Sequence, residues 1–314
     1  MAPPDVSTSD HANPRIGITG ASGFLGSALA KRLHSRSIIV QRVRRGSQAV
    51  QPDVAWQPEK SRAQLAALSG AAAVVHLAGE SVAERWTPAH KRAIRDSRVG
   101  PTGLLARALA ELPEPPRVLL SGSAIGIYGD RGDEELDEAS AAGSGFLADV
   151  ARAWEDACAP ARDAGIRVVH MRTGIVLNPA GGALAKMLTP FKLGAGGTIG
   201  SGRQWMSWIS LGDWLSAVEF LLAEPSLSGP VNLVAPNPVP NEEFTRTLAR
   251  VLSRPALAHV PAFAIDLLFG EMGRATLLGS QRVHPRRLME AGFEFGCPTL
   301  EQALRAELAH PLKT

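Results

Sequence analysis

Cysteine is almost missing from this chain. There are two in 314 residues, Cys158 and Cys297, far apart and in no CxxC spacing. That excludes a disulfide framework and a zinc knuckle, and predicts two buried thiols in a reducing compartment. Aromatic residues make up only 5% and do not interleave with a basic patch, and the net charge of +3 is small for the length. Nucleic acid is therefore not an expected partner. No run of about 18 apolar residues occurs, so no membrane span is expected. The segment "MAPPDVSTSDHANP" has neither the apolar stretch of a secretory signal nor the arginines of a transit peptide. It reads as a disordered tail over 1–14, and the protein as cytoplasmic. The histidines form no HExxH or cluster, so no metal site is expected, and neither a G-x-S-x-G elbow nor a phosphate loop of the GxxxxGK type is present.

What the chain does have is a core. Apolar residues make up 45% and charged ones 20%, enough for one large or two modest domains. Short apolar runs alternate with helical patterns: "RIGIT", a helix over 24–34, "SIIVQRV", a helix over 62–68, "AAVVHLAG", a helix over 88–112, "RVLLSGS", a helix over 146–164, and "IRVVHMRTGIVL". Alternation of this kind predicts βαβ units, hence an α/β fold with a doubly wound parallel sheet covered on both faces. After Leu177 glycine and proline become dense, which predicts a smaller carboxy-terminal lobe over 178–314 with a return segment near 203–224. Thr299 and Gln302 form a capping-box signature for the last helix, and "FAIDLLFG" reads as core or dimer face, with core preferred. The expected assembly is a monomer or homodimer.

"ITGASGFLG" places Gly20, Gly23 and Gly26 between the first strand and the first helix. Glycines there permit a tight turn and let backbone N–H groups approach a pyrophosphate, which the helix N-terminus stabilises. A dinucleotide is therefore expected. An NAD site usually offers an acid to the ribose about 20 residues after the glycines, whereas a 2′-phosphate calls for Arg. No acid lies between Lys31 and Asp53, while Arg42, Arg44 and Arg45 crowd the end of the second strand. The expected cofactor is NADP(H).

With "TGASGFLG", "HLAGESVAERWTPAHKRAIRDSRV", "SGSAIGIYG", "GSGRQWMSWISLGD" and "GPVNLVAPNPV" in place, the chain resembles an atypical extended short-chain dehydrogenase/reductase of the epimerase family protein group, from Arg15 to Leu308. The resemblance implies a Rossmann domain over 15–177 with a carboxy-terminal substrate lobe. It implies that Gly20, Ala21, Ser22, Gly23, Phe24, Leu25 and Gly26 hold the pyrophosphate, that Arg45 with Arg44 meets the 2′-phosphate, and that Leu77, Ala78 and Gly79 line the adenosine and ribose side. Arg98, which falls where extended members keep an Asn, is expected to contact the cofactor, as are Ser121 and Ser123 in "SGSA", where Ser123 also matches the active-site Ser.

Two departures follow. The superfamily's acid/base is a Tyr whose pKa is lowered by a Lys four residues on. Tyr128 is the only Tyr here, and four residues beyond it stands Gly132. The register of the missing pair falls on Phe146 and Val150. Nucleotide-sugar enzymes also carry an Arg where this chain has Met206, flanked by Trp205 and Trp208. Trp205, Met206 and Trp208 point to a pocket for a smaller or more apolar substrate, or else the two Trp residues pack the interface between the lobes. Candidate proton donors are Ser123, Tyr128, Glu80 and Asp149. The expectation is an NADP(H)-dependent, epimerase-like oxidoreductase that works without Tyr-x-x-x-Lys. The alternative is an inactive NADP(H)-binding sensor or regulator, since some relatives of this group carry cell-division-inhibitor labels.

Overall fold

Five residues, Arg15–Thr19, open the fold as strand β1, with all but Arg15 buried. The computed structural model describes residues 14–58 and 63–309. The expected disordered tail, but for Pro14, lies outside the described residues, as does the start of the helix expected over 62–68.

Seven parallel strands form the central sheet: β1, β2 (Ile39–Arg45), β3 (Val54–Trp56), β4 (Ala73–His76), β5 (Val118–Ala124), β6 (Arg167–Thr173) and β7 (Gly229–Leu233). They lie in the order β7-β6-β5-β4-β1-β2-β3. After β1 the chain builds outward through β2 and β3, then crosses back to lay β4 on the other side. A crevice therefore opens between the carboxyl ends of β1 and β4, where such sheets take their ligands. β4, AVVH, is buried at every position, as a strand covered on both faces must be.

Helices α1 (Phe24–Ser35), α2 (Pro88–Ala110) and α3 (Phe146–Asp156) follow in chain order. One core layer joins Leu29 and Leu33 of α1 to Ile18, Val75, Leu120 and Met171, and the other joins Leu105 and Leu109 of α2 to Val74, Leu119 and Val168. Burying each such side chain contributes about 1.5–3 kcal/mol. Pro101 lies inside α2 and removes the bond that would reach the Ser97 carbonyl. The helix expected over 146–164 ends at Asp156, and a short helix, Ala159–Asp163, follows with Pro160 in its first turn.

The apolar run expected to continue to Leu177 breaks at Gly174. A Cβ there would lie 2.6 Å from the Ser207 carbonyl oxygen. Beyond it Ile175–Leu177 leaves the sheet to pair in parallel with Trp208–Ser210. Helix α4 (Gly182–Lys192) belongs to the second lobe. The return segment expected near 203–224 carries α5 (Leu211–Ala223) and runs on into β7, the edge strand of the main sheet. The second lobe packs α4, α6 (Asn241–Leu252) and α8 (Leu300–Ala309) around Trp208, Phe244 and Leu304. The Glu307 carboxylate ties the lobes, accepting from Asn178 Nδ2 at 2.6 Å and Gly212 N at 3.1 Å. Of the expected capping box half forms: the Thr299 backbone N–H donates to Gln302 Oε1 at 3.2 Å, while the Thr299 hydroxyl donates to the same oxygen at 2.7 Å.

Helix α7 (Ala262–Phe269) overturns the preference for core. Only Ile265 of this helix is buried, while Phe263, Leu267 and Leu268 are exposed. The thiols also differ, Cys158 being buried and Cys297 half-buried.

Candidate functional site

Three glycines shape the crevice for three different reasons. Gly20 adopts φ +68°, and a Cβ there would meet the Leu77 carbonyl carbon at 2.7 Å. At Gly26 a Cβ would lie 2.2 Å from the Gly20 oxygen, so helix and loop touch because that residue has no side chain. Gly23 is different: its Cβ would approach only the Gly20 oxygen, at 3.3 Å, and the residue is exposed at the N-cap of α1. No side chain caps α1 and no acid stands in its first turn. Its first N–H groups and the positive end of its dipole are left to the crevice. Phe24 and Leu25 are half-buried, and the Phe24 ring packs on Gly181 of the second lobe, while Ser22 is exposed and Ala21 buried.

Behind the loop, Thr19 Oγ1 accepts from the Leu77 and Ala78 N–H groups at 3.2 and 3.4 Å, and lies 2.6 Å from His76 Nδ1. With its acceptor positions used, the hydroxyl donates to Nδ1, which assigns the ring proton to Nε2, 2.8 Å from Thr102 Oγ1. Burial, with the nearby Arg98 charge adding to it, pulls the His76 pKa down to about 4, so the ring is neutral. It ties β1, β4 and α2 together directly under Leu77, Ala78 and Gly79.

Arg98, on α2, is pressed against that same loop. A Cβ on Gly79 would lie 3.0 Å from Arg98 Cζ, and on the other side Cζ stands 5.1 Å from the Trp154 ring. Arg98 Nη1 donates to the Ile94 carbonyl at 3.0 Å and reaches Ser97 Oγ at 3.5 Å. Nε and Nη2 have no partner among the described residues. Burial draws the guanidinium down to about 10, and the Glu80 charge works against it. Glu80 is exposed at the rim, its backbone N–H held by Ser97 Oγ at 2.9 Å.

At the end of β5 a buried polar network appears. Ser123, 6% exposed, donates to Glu155 Oε1 at 2.6 Å. Arg172 clasps both Glu155 oxygens at 2.9 Å and donates to the Tyr128 hydroxyl at 3.0 Å. That hydroxyl donates in turn to Asn232 Oδ1 at 2.8 Å. Tyr128 is completely buried, and burial raises its pKa against the pull of Arg172. For Glu155, the Arg172 bonds outweigh burial and hold the carboxyl below its ordinary range. The geometry thus pins Tyr128 inside the protein, contrary to its candidacy as a proton donor. Ser121 is also buried, and its hydroxyl donates to the Gly122 carbonyl at 3.3 Å. Asp149 is exposed and paired with Arg152. Phe146 and Val150 pack with Trp86, Ile94 and Met272 in an apolar cluster, where neither carries a proton.

The basic end of β2 is split. Arg44 Nε is 2.8 Å from Asp53 Oδ2, while Arg45 is exposed with no partner among the described residues. Asp53, Trp154, Glu155, Arg172 and Asn232 escaped the sequence reading. Their partners lie far off in the chain, and no spacing signals them.

The expected substrate pocket of Trp205, Met206 and Trp208 is not one surface. Trp208 is fully buried and Met206 nearly so, both in the second-lobe core. Trp205 is half-buried, lies under the Arg282 guanidinium at 4.4 Å, and donates to Asp133 at 2.9 Å. Instead, the 262–273 segment reaches the crevice side of the sheet domain: Arg85 Nη1 bonds the Leu267 carbonyl at 3.1 Å, and Lys91 pairs with Glu271 at 2.8 Å. The basic run at 282–287 is used internally. Arg282 pairs with Glu135 at 2.9 Å and Arg287 donates to the Pro230 carbonyl at 2.7 Å. Among the described residues no group of three potential ligands could hold a metal ion, and no helix is long and apolar enough to cross a membrane.

Comparison with known proteins agrees with this architecture. The NAD dependent epimerase/dehydratase family matches residues 16–234, and a domain of unknown function, DUF1731, matches residues 260–307. An epimerase family protein of Mycobacterium bovis is 43% identical over 96% of this chain and 99% of its own. An Arabidopsis thaliana homologue of epimerase family protein SDR39U1, described as chloroplastic, is 37% identical over 96% of this chain and 88% of its own. The crystal structure of human SDR39U1 (isoform 2) with NADPH matches with a TM-score of 0.86 at 33% identity, covering 94% of this chain and 99% of that one. The chain therefore belongs to the NAD dependent epimerase/dehydratase family, and within it to the extended short-chain dehydrogenase/reductases of the SDR39U1 epimerase type.

Proposed function

We propose that this protein binds NADP(H) in the crevice between β1 and β4 and carries out an oxidoreduction on a small substrate that is not a nucleotide sugar, without Tyr-x-x-x-Lys. The observation that carries the reading is the open cradle at Gly23: a helix N-terminus with no cap and no acid, beside a residue whose missing side chain serves no contact within the protein. Such a place fits a pyrophosphate. Arg45, with no partner among the described residues, fits a 2′-phosphate, and Leu77, Ala78 and Gly79 fit the adenosine and ribose side. The human relative crystallised with NADPH supports the choice.

When bound, NADPH supplies a hydride to a carbonyl or imine carbon. The chain's own part is to hold, orient and exclude water. Ser123, whose proton is committed to Glu155, offers its lone pairs and so accepts from a substrate hydroxyl or amine. Glu80 is the candidate that faces solvent at the crevice with no ion-pair partner among the described residues, which makes it the best-placed proton carrier. Internal Tyr128 and apolar Phe146 and Val150 favour the second reading, an NADP(H) sensor without turnover.

NADPH oxidation across a panel of carbonyl and imine compounds separates the two, run beside Gly23→Asp. Turnover that disappears in that variant supports the enzyme. Tight NADPH binding with no consumption by the wild type supports the sensor, and absence of NADPH binding overturns both.

A further inference from the structure

The Arg98 guanidinium is held in place and yet half unused. Trp154 lies under it at 5.1 Å, bare Gly79 leaves room on the other face, and Nη1 is anchored on the Ile94 carbonyl at 3.0 Å. The remaining edge, Nε and Nη2, has no acceptor among the described residues, and no carboxylate comes within ion-pair distance. Glu80, exposed at the rim, is the acid whose charge reaches it. The indole beneath adds another unsatisfied donor, since Trp154 Nε1 is buried without a partner. Arg98 is half-buried and its free edge stays open to solvent; a cation drawn partly out of water without a carboxylate is suited to an anion that arrives later.

The shape of that edge selects the anion. Nε–H and Nη2–H are parallel donors that match two oxygens of one planar group. A phosphate dianion calls for more than one cation, and no Lys or second Arg is seen to touch this guanidinium. Ile94 and Val150, on the same helices as Arg98 and Trp154, belong to an apolar cluster with Met272 and half-buried Phe146. We propose that Arg98 receives the carboxylate of the substrate, making this a site for an apolar carboxylic acid. This rests on the reading of the crevice as an NADP(H) site, and it reassigns Arg98 from cofactor to substrate.

Isothermal titration of the full-length protein, with and without NADPH, tests it, using benzoate as the probe and benzamide as its neutral isostere. Benzoate is expected to bind the wild type, benzamide to bind at least about tenfold more weakly, and Arg98→Gln to lose benzoate about tenfold while its NADPH affinity stays within about threefold. Arg98→Lys keeps the charge without the fork and is expected to recover only part of the loss; it also serves should Arg98→Gln fail to fold. The proposal is overturned by equal binding of benzoate and benzamide, by undiminished benzoate binding in both variants, or by a tenfold loss of NADPH affinity in either variant, which would give the guanidinium to the cofactor's phosphates. A wild type that binds benzoate but no NADPH would sink the cofactor reading and leave the carboxylate site standing. One that binds NADPH but no benzoate would do the reverse.

Discussion

Ser123 and Glu155, 32 residues apart, share a hydrogen bond of 2.6 Å, and the same carboxylate is clasped by Arg172 through two bonds of 2.9 Å. The pair is nearly buried, with side-chain exposures of 10% and 11%. Removing one partner leaves the other as an uncompensated buried charge. Glu155→Ala is therefore expected to cost about 3–5 kcal/mol, read as a lower urea midpoint at unchanged slope. The pH dependence follows from the depressed carboxyl. Its stabilising effect is complete above the ordinary Glu value of 4.5 and is lost as pH falls below that, through the folded-state pKa. A variant as stable as the wild type at neutral pH would contradict this account.

His76 gives a second pH signature, in a different window. Its pKa is 6.5 in the open chain and about 4 when buried. Between those values the unfolded state binds the extra proton, so the stabilisation present above pH 6.5 falls as pH drops towards 4, by up to about 1.4 kcal/mol per unit. Chemical denaturation at several pH values should show this slope in the wild type and a shallower one in His76→Gln. Parallel slopes would mean that the ring is not the titrating group.

Adjacent arginines should separate by cofactor. Arg45 has no partner among the described residues, whereas Arg44 is engaged by Asp53 at 2.8 Å. Arg45→Ala is expected to weaken NADPH by about tenfold or more and to leave NADH nearly unchanged, because it removes a charge-assisted bond to the phosphate alone. Arg44→Ala should have the smaller effect. If the wild type binds both dinucleotides equally, the assignment of this strand end is wrong.

The glycines should divide in the same manner. Gly20→Ala meets a left-handed φ and the Leu77 backbone, and Gly26→Ala meets the Gly20 oxygen at 2.2 Å. Each is expected to lower stability by about 1–3 kcal/mol or more. Gly23→Ala meets only the Gly20 oxygen, at 3.3 Å, which a shift of a few tenths of an ångström relieves, so its melting temperature should fall far less than that of Gly26→Ala while its NADPH affinity falls. A Gly23→Ala protein as unstable as Gly26→Ala would mean that the residue is there for packing.

Much of this was legible from residue order. Apolar runs separated by helical stretches placed β1, β2, β4 and β5 to within three residues of their ends; β1, β4 and β5 are buried on both faces, so the pattern there is continuous, while β2 buries only Gln41 and Val43. Legibility failed where the chain changes partners. Ile175–Leu177 reads as the end of β6, yet the Gly174 contact with the Ser207 carbonyl turns it to another strand. It failed also for "FAIDLLFG", where hydrophobicity without a clear period does not tell a core helix from an exposed one.

The sequence by itself determined the dinucleotide loop and the loss of the usual proton donor, since both depend on which residues are present: three glycines at a fixed spacing, and one Tyr with no Lys four residues on. Only the tertiary structure decided what the polar residues are for. Glu155 and Arg172, Arg44 and Asp53, and Arg98 and Trp154 are joined by the packing of helices against strands, across distances in sequence that carry no periodic signal. That packing turned Tyr128 and Trp208 inward, and it left the donor edge of Arg98 free.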